Sequence, residues 1–138
     1  MGTMVRGFYL PGEIYGEICF NALRELPLEA CGYLAGKGSR VSKLFRMRNA
    51  DVSQRRFSFD PEEQLAVMEE AGKAGLELIA VYHSHPQGPP GPSAEDLRMA
   101  LDPQLIHVII SLLPPEPTVR AFRIEDGEAS EIPLVQRE

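Results

Sequence analysis

His83, His85 and Asp96 fall within a stretch of fourteen residues, with Ser93 just before the acid. Two imidazoles and a carboxylate form a ligand set for one zinc-type cation. Three protein ligands leave a fourth coordination position open, which marks a catalytic rather than a structural zinc. Hydrolysis is the chemistry such a centre serves, and it needs a general base within reach of the attacking water. The candidate upstream is Glu29, the charged residue at the entry to the apolar run Ala30-Cys31-Gly32-Tyr33-Leu34-Ala35-Gly36. A solvated acid at a strand start has the same local signature.

The elements that must position these residues follow from the pattern around them. Residues 76–83 form a short apolar run after Gly75, which reads as a buried strand. Side chains two apart on a strand share a face, so His83 and His85 project together as the strand ends. Gln87 to Pro92 is rich in Gly and Pro and reads as a stiff loop. Ser93-Ala94-Glu95-Asp96 then opens a helix through Leu97, Met99, Ala100 and Leu101, with Asp96 in its first turn. Ser93-x-x-Asp96 is also a helix capping box, in which both side chains satisfy backbone donors. One serine can cap the helix and face a metal at the same time.

Glu29, then His83-x-His85-Pro86, with seven residues between His85 and Ser93 and two between Ser93 and Asp96, resemble the JAMM (JAB1/MPN/Mov34, MPN+) metalloprotease family. The match runs from the first helix to the strand after the histidines, and every signature position is filled. The resemblance implies an α/β fold, a mixed β-sheet wrapped by helices as in the cytidine-deaminase-like fold. It implies that His83, His85 and Asp96 bind one Zn2+, that Glu29 holds and deprotonates the water, and that Ser93 stabilises the oxyanion. Family members cut peptide or isopeptide bonds after the C-terminal Gly-Gly of ubiquitin-like proteins. The compact chain resembles the bacterial and archaeal branch, whose partners are small ubiquitin-like sulfur carriers.

Residues 1–138 are expected to form one domain, given the length and a core-sized apolar content. No run of roughly 18 apolar residues is present to span a membrane, and Met1 to Leu10 lacks the core of a signal peptide. A cytoplasmic location is expected. Cys19 and Cys31 read as two small buried residues in a reducing compartment, with a bridge between them as the alternative. His107 opens an apolar strand without a partner at ligand spacing and reads as a hydrogen-bonded structural histidine.

Elsewhere Ile14, Ile18, Ala22, Leu23 and Leu26 recur at helical spacing and predict a first helix ending near Pro27. Strands are expected at 31–36, at 41–48 and around Phe57-Ser58-Phe59. Asp60-Pro61-Glu62-Glu63 predicts a helix start: cap, proline at N1, acid at N3. It runs through Leu65 and Met68 and stops before Gly75. Another buried strand covers 107–112, and a hairpin of 118–124 with 128–135 closes around Asp126-Gly127. The net charge of −6 argues against nonspecific nucleic-acid binding. Arg40, Lys43, Arg46, Arg48, Arg55 and Arg56, opposed by Asp51, could form a patch that docks an acidic partner, or an ordinary solvated hairpin. Three functions fit: a zinc peptidase trimming a carrier's C-terminus, an isopeptidase removing a ubiquitin-like modifier from lysine, and a non-catalytic binding scaffold.

Overall fold

Alternating apolar residues along most strands and apolar stripes on the helices build one mixed eight-stranded sheet with helices on both faces. The structure, a computed structural model, describes residues 7–137. Met1 to Arg6, on which part of the N-terminal reading rests, and Glu138 lie outside it. In chain order the elements are β1 (Phe8–Pro11), α1 (Gly12–Arg24), β2 (Cys31–Lys37), β3 (Arg40–Met47), α2 (Pro61–Lys73), β4 (Glu77–His85), α3 (Ala94–Met99), β5 (Ile106–Ser111), β6 (Thr118–Glu125), β7 (Glu128–Ile132) and β8 (Leu134–Arg137). Strand order is β7-β6-β5-β4-β2-β3-β1-β8. β4 pairs in parallel with β5 and antiparallel with β2.

β7 and β8 are the two edges of this sheet, yet Pro133 alone separates them in the chain. Two peptide steps span at most about 7.6 Å. The edges therefore meet at one corner, and the sheet curls around α1. Ile14, Ile18 and Ala22 of α1 bury against Phe8, Leu34, Ala80, Tyr82, Val108 and Ile110. The opposite face carries Tyr33, Phe45, Met47 and Val81, packed with Ala71 of α2. Among the described residues no helix is long and apolar enough to cross a membrane.

Several expectations change in the folded chain. β1 adds a strand that short-range pattern did not show, and 128–135 is two strands. Proline lacks the N–H a ladder needs, so the chain breaks at Pro133 and β8 pairs in parallel with β1. Phe57-Ser58-Phe59 is no strand, because the Asn49 side chain takes the Ser58 N–H and the two rings turn inward as packing. α1 ends at Arg24, leaving Leu23 and Leu26 about half exposed. α3 ends at Met99, where Ala100 turns extended ahead of Asp102-Pro103, leaving Leu101 exposed. The α2 start holds as expected, since the Asp60 side chain accepts the Glu62 N–H. Asp126 and Gly127 both take positive φ, as a two-residue hairpin turn requires.

Gly32 is there for space. A Cβ at this position would lie 2.3 Å from the Phe45 carbonyl oxygen and 2.4 Å from the Tyr82 ring. Its absence lets Tyr82 lie flat across β2 and donate its hydroxyl to Asn21 Oδ1 at 2.7 Å, which ties α1 to the strand bearing the histidines.

Candidate metal centre and active site

β4 runs through His85, because β5 keeps pairing as far as His85 opposite Ser111. Both imidazoles thus stand on one face of a strand that is hydrogen-bonded on both sides. Ser84 points to the other face, fully buried. Its Oγ accepts the Ala30 N–H at 2.8 Å, and its own N–H donates to the Ala30 carbonyl at 3.0 Å. This exchange continues the β2–β4 register one step past Cys31 opposite His83. One residue further back, Glu29 lines the same cavity as His85 and Ser93.

The third member arrives from α3. Ser93 Oγ accepts the Asp96 N–H at 3.0 Å, and Asp96 Oδ2 accepts the Ser93 N–H at 2.9 Å. This capping box turns the carboxylate back over the helix start, toward the histidines. Asp96 Oδ2 lies 3.1 Å from His83 Nε2 and 3.1 Å from His85 Nε2, and the two nitrogens are 3.1 Å apart. The capping reading and the ligand reading are therefore one arrangement.

A tetrahedral ion with bonds of about 2.0–2.1 Å separates its ligand atoms by about 3.3–3.4 Å. The observed triangle suits such an ion with a few tenths of an ångström of expansion. One shared proton cannot satisfy three lone-pair atoms in mutual contact, whereas a cation can. His85 Nδ1 sits 2.9 Å from the Pro89 carbonyl oxygen, which leaves Nε2 as its ligand atom. Phe57 stacks on His83 with ring centroids 4.7 Å apart. Burial lowers the pKa of His83. Burial alone would raise Asp96, but the bonds to His83 and His85 override it and hold the carboxyl well below the usual range.

Glu29 is 2 % exposed, and its Oε1 has no hydrogen-bond partner among the described residues. Burial pushes its carboxyl up to about 8, against the pull of His85 and with a further push from Asp96. A divalent cation in the triad would draw it back down. The centre opens on two sides. A cavity of about 430 Å³ is lined by Glu29, Arg55, His85, Ser93 and the Pro86–Pro92 loop. Another of about 560 Å³ is lined by His83, Asp96, Phe57, Met99 and His107.

The structure brings together His83, His85 and Asp96, with Glu29 and Ser93 on the adjoining cavity, and sequence reasoning missed the residues that hold them. Asn49 is buried, and its side chain makes five hydrogen bonds to the described residues. Its Nδ2 donates to the carbonyls of Glu29, Ser53 and Arg56, and its Oδ1 accepts the N–H groups of Asp51 and Ser58. The available signal was a lone Asn at a strand end, which could equally have been a solvated turn. Asn49→Ala strands several of these groups and is expected to cost about 2–4 kcal/mol. The denaturant midpoint checks this, and an unchanged midpoint removes Asn49 as the organiser of the segment.

The other candidates resolve differently. Both cysteines are free, and burial pushes the Cys31 thiol up to about 12, so it is no nucleophile at neutral pH. His107 stays outside the triad. Burial lowers its pKa to about 4, and no hydrogen bond joins its ring to the described residues, unlike the hydrogen-bonded histidine expected. The basic segment is no single patch. Lys43 pairs with Glu70 and Arg48 with Asp60, while Arg40 covers the Tyr9 ring. Arg55 and Arg56 line the two different cavities beside the centre.

Known proteins share this arrangement of sequence and fold. The family described as prokaryotic homologs of the JAB domain matches residues 11–125. The chain is 36% identical over 125 residues to the CysO-cysteine peptidase of Mycobacterium tuberculosis, covering 88% of this chain and 86% of that one. It is 46% identical over 70 residues to the desampylase of Pyrococcus furiosus, covering 51% of this chain and 50% of that one. The solution structure of a Desulfitobacterium hafniense protein superposes with a TM-score of 0.86 at 37% identity, covering 95% of this chain and 93% of that one. With a family match over most of its length and near-complete overlap in fold, the chain belongs to the prokaryotic JAB-domain family.

Proposed function

We propose that this protein is a zinc peptidase that hydrolyses the bond after the C-terminal Gly-Gly of a ubiquitin-like sulfur carrier. The observation that carries the reading is the unpartnered, buried carboxylate of Glu29 beside a triangle of two imidazole nitrogens and a carboxylate oxygen. His83, His85 and Asp96 hold the zinc. When bound, it supplies Lewis-acid activation of water and of the scissile carbonyl. Glu29 takes the proton from the attacking water at Oε1 and delivers it to the leaving amine. Ser93 Oγ already accepts the Asp96 N–H, so its own O–H is free to donate to the oxygen on which charge develops. The similarity to a CysO-cysteine peptidase supports a carrier substrate. Free thiols at Cys19 and Cys31 support a reducing, cytoplasmic setting.

The isopeptidase reading shares this site and differs in the leaving group, and similarity to a desampylase supports it. The scaffold reading does not require the buried Glu29. Intact-mass spectrometry of zinc-loaded protein with two substrates separates the three. One is a sulfur carrier extended by a few residues after Gly-Gly, and the other is the same carrier joined to a lysine side chain. Cleavage of the linear substrate, abolished by a chelator, is the expected result. Cleavage of the branched substrate alone selects the isopeptidase, and cleavage of neither by protein shown to hold zinc leaves the scaffold.

A further inference from the structure

The cavity that holds Glu29 is also the one that must receive the leaving group, because Glu29 delivers the proton to the leaving amine. Among the described residues that line it, Arg55 is the only arginine or lysine. Its guanidinium has no carboxylate partner among the described residues, although nearby Lys43 and Arg48 both have one. The backbone under it is held. Arg55 N–H donates to Ser53 Oγ at 3.0 Å. The Ser53 carbonyl accepts the Glu29 N–H at 2.9 Å, and the Arg56 carbonyl accepts Asn49 Nδ2 at 2.9 Å. The bonds around the Glu29 backbone therefore also hold the backbone that carries Arg55.

The opposite wall is equally constrained. Pro86, Pro89 and Pro92 stiffen the loop. Ser111 Oγ donates to the Gly88 carbonyl at 2.6 Å, and the Pro89 carbonyl meets His85 Nδ1. About 430 Å³ between these walls suits one or two residues.

We propose that Arg55 is a specificity-determining residue that binds the free α-carboxylate of a short C-terminal leaving group, an amino acid or dipeptide joined by its α-amine. The proposal rests on the peptidase reading above and selects among its leaving groups. An amino acid attached through its α-amine carries its carboxylate one carbon from the scissile nitrogen, inside the same cavity. A lysine joined through its side chain places four methylenes there and brings no carboxylate. Guanidinium and carboxylate can pair through two parallel hydrogen bonds, which gives orientation as well as attraction.

The test uses carriers ending Gly-Gly-Ala, with either a free C-terminal carboxylate or a C-terminal amide. Wild-type protein is expected to favour the carboxylate by about tenfold in KM, with kcat unchanged. Arg55→Gln is expected to lose that preference, bringing the ratio of the two KM values to about one. Equal KM values for the two carriers in the wild type, or a preference that survives Arg55→Gln, overturn the proposal.

A binding measurement keeps this apart from failure of the peptidase reading. The tripeptide Gly-Gly-Ala and its amide are titrated calorimetrically into wild-type and Arg55→Gln protein, with zinc and after chelation, because a carboxylate also ligates zinc directly. A carboxylate preference that persists without zinc and disappears in Arg55→Gln supports the proposal even if no carrier is cleaved. A preference that depends on zinc alone overturns it.

Discussion

Glu29→Gln is expected to retain a full complement of zinc and to lose about 10²–10⁴ in kcat. The amide keeps the size and planarity of the carboxylate and removes its ability to take a proton. The metal should stay, because Glu29 lies outside the triangle formed by His83, His85 and Asp96. The fold should not suffer either. Glu29 is buried with an unpartnered oxygen, and replacing a buried unpaired acid with a neutral isostere removes a desolvation cost. Zinc content, melting temperature and turnover of the linear carrier substrate check the three parts together. Near-normal turnover would show that another group moves the proton. Lost turnover with lost zinc would place Glu29 among the ligands.

His85→Ala is expected to lose both metal and activity. His85 Nε2 is one corner of the 3.1 Å triangle, and two remaining ligands do not complete a zinc site. The loss in zinc affinity should exceed the roughly 10–100-fold that follows loss of a residue supporting a ligand. The variant also gives up the contact from Nδ1 to the Pro89 carbonyl, so the Pro86–Pro92 loop loses one of its two ties to the sheet. Metal analysis after dialysis and activity with added zinc check this. Stoichiometric zinc with wild-type turnover would remove His85 from the site. The contrast between the variants separates holding the metal from moving the proton.

Much of the site was legible because its spacing is local. His83 and His85 share a face on any strand, and Ser93 with Asp96 forms a cap on any helix that starts there. The Asp60-Pro61 helix start and the Asp126-Gly127 turn were legible for the same reason, since each depends on four or fewer neighbouring residues. Phe57-Ser58-Phe59 had strand composition, but Asn49 outcompeted a neighbouring strand for its backbone. The shortened α3 and the divided 128–135 segment were misjudged where a proline overrode a favourable run.

By itself the sequence determined which atoms could meet a metal, that a serine and an acid would share a helix start, and that strands and helices would alternate. Tertiary structure decided that Glu29 shares a cavity with His85 and Ser93, next to a β2–β4 pairing of segments more than fifty residues apart. It decided that β8 returns to the far edge of the sheet beside β1, and that Arg55 shares a cavity with Glu29 while Arg56 lines another. The physical reason is the range of the forces involved. Strand periodicity, capping and turn geometry act over a few residues, so they can be read along the chain. Sheet register and cavity walls are set by hydrogen bonds and packing between distant segments, whose partners exist only once the chain has folded.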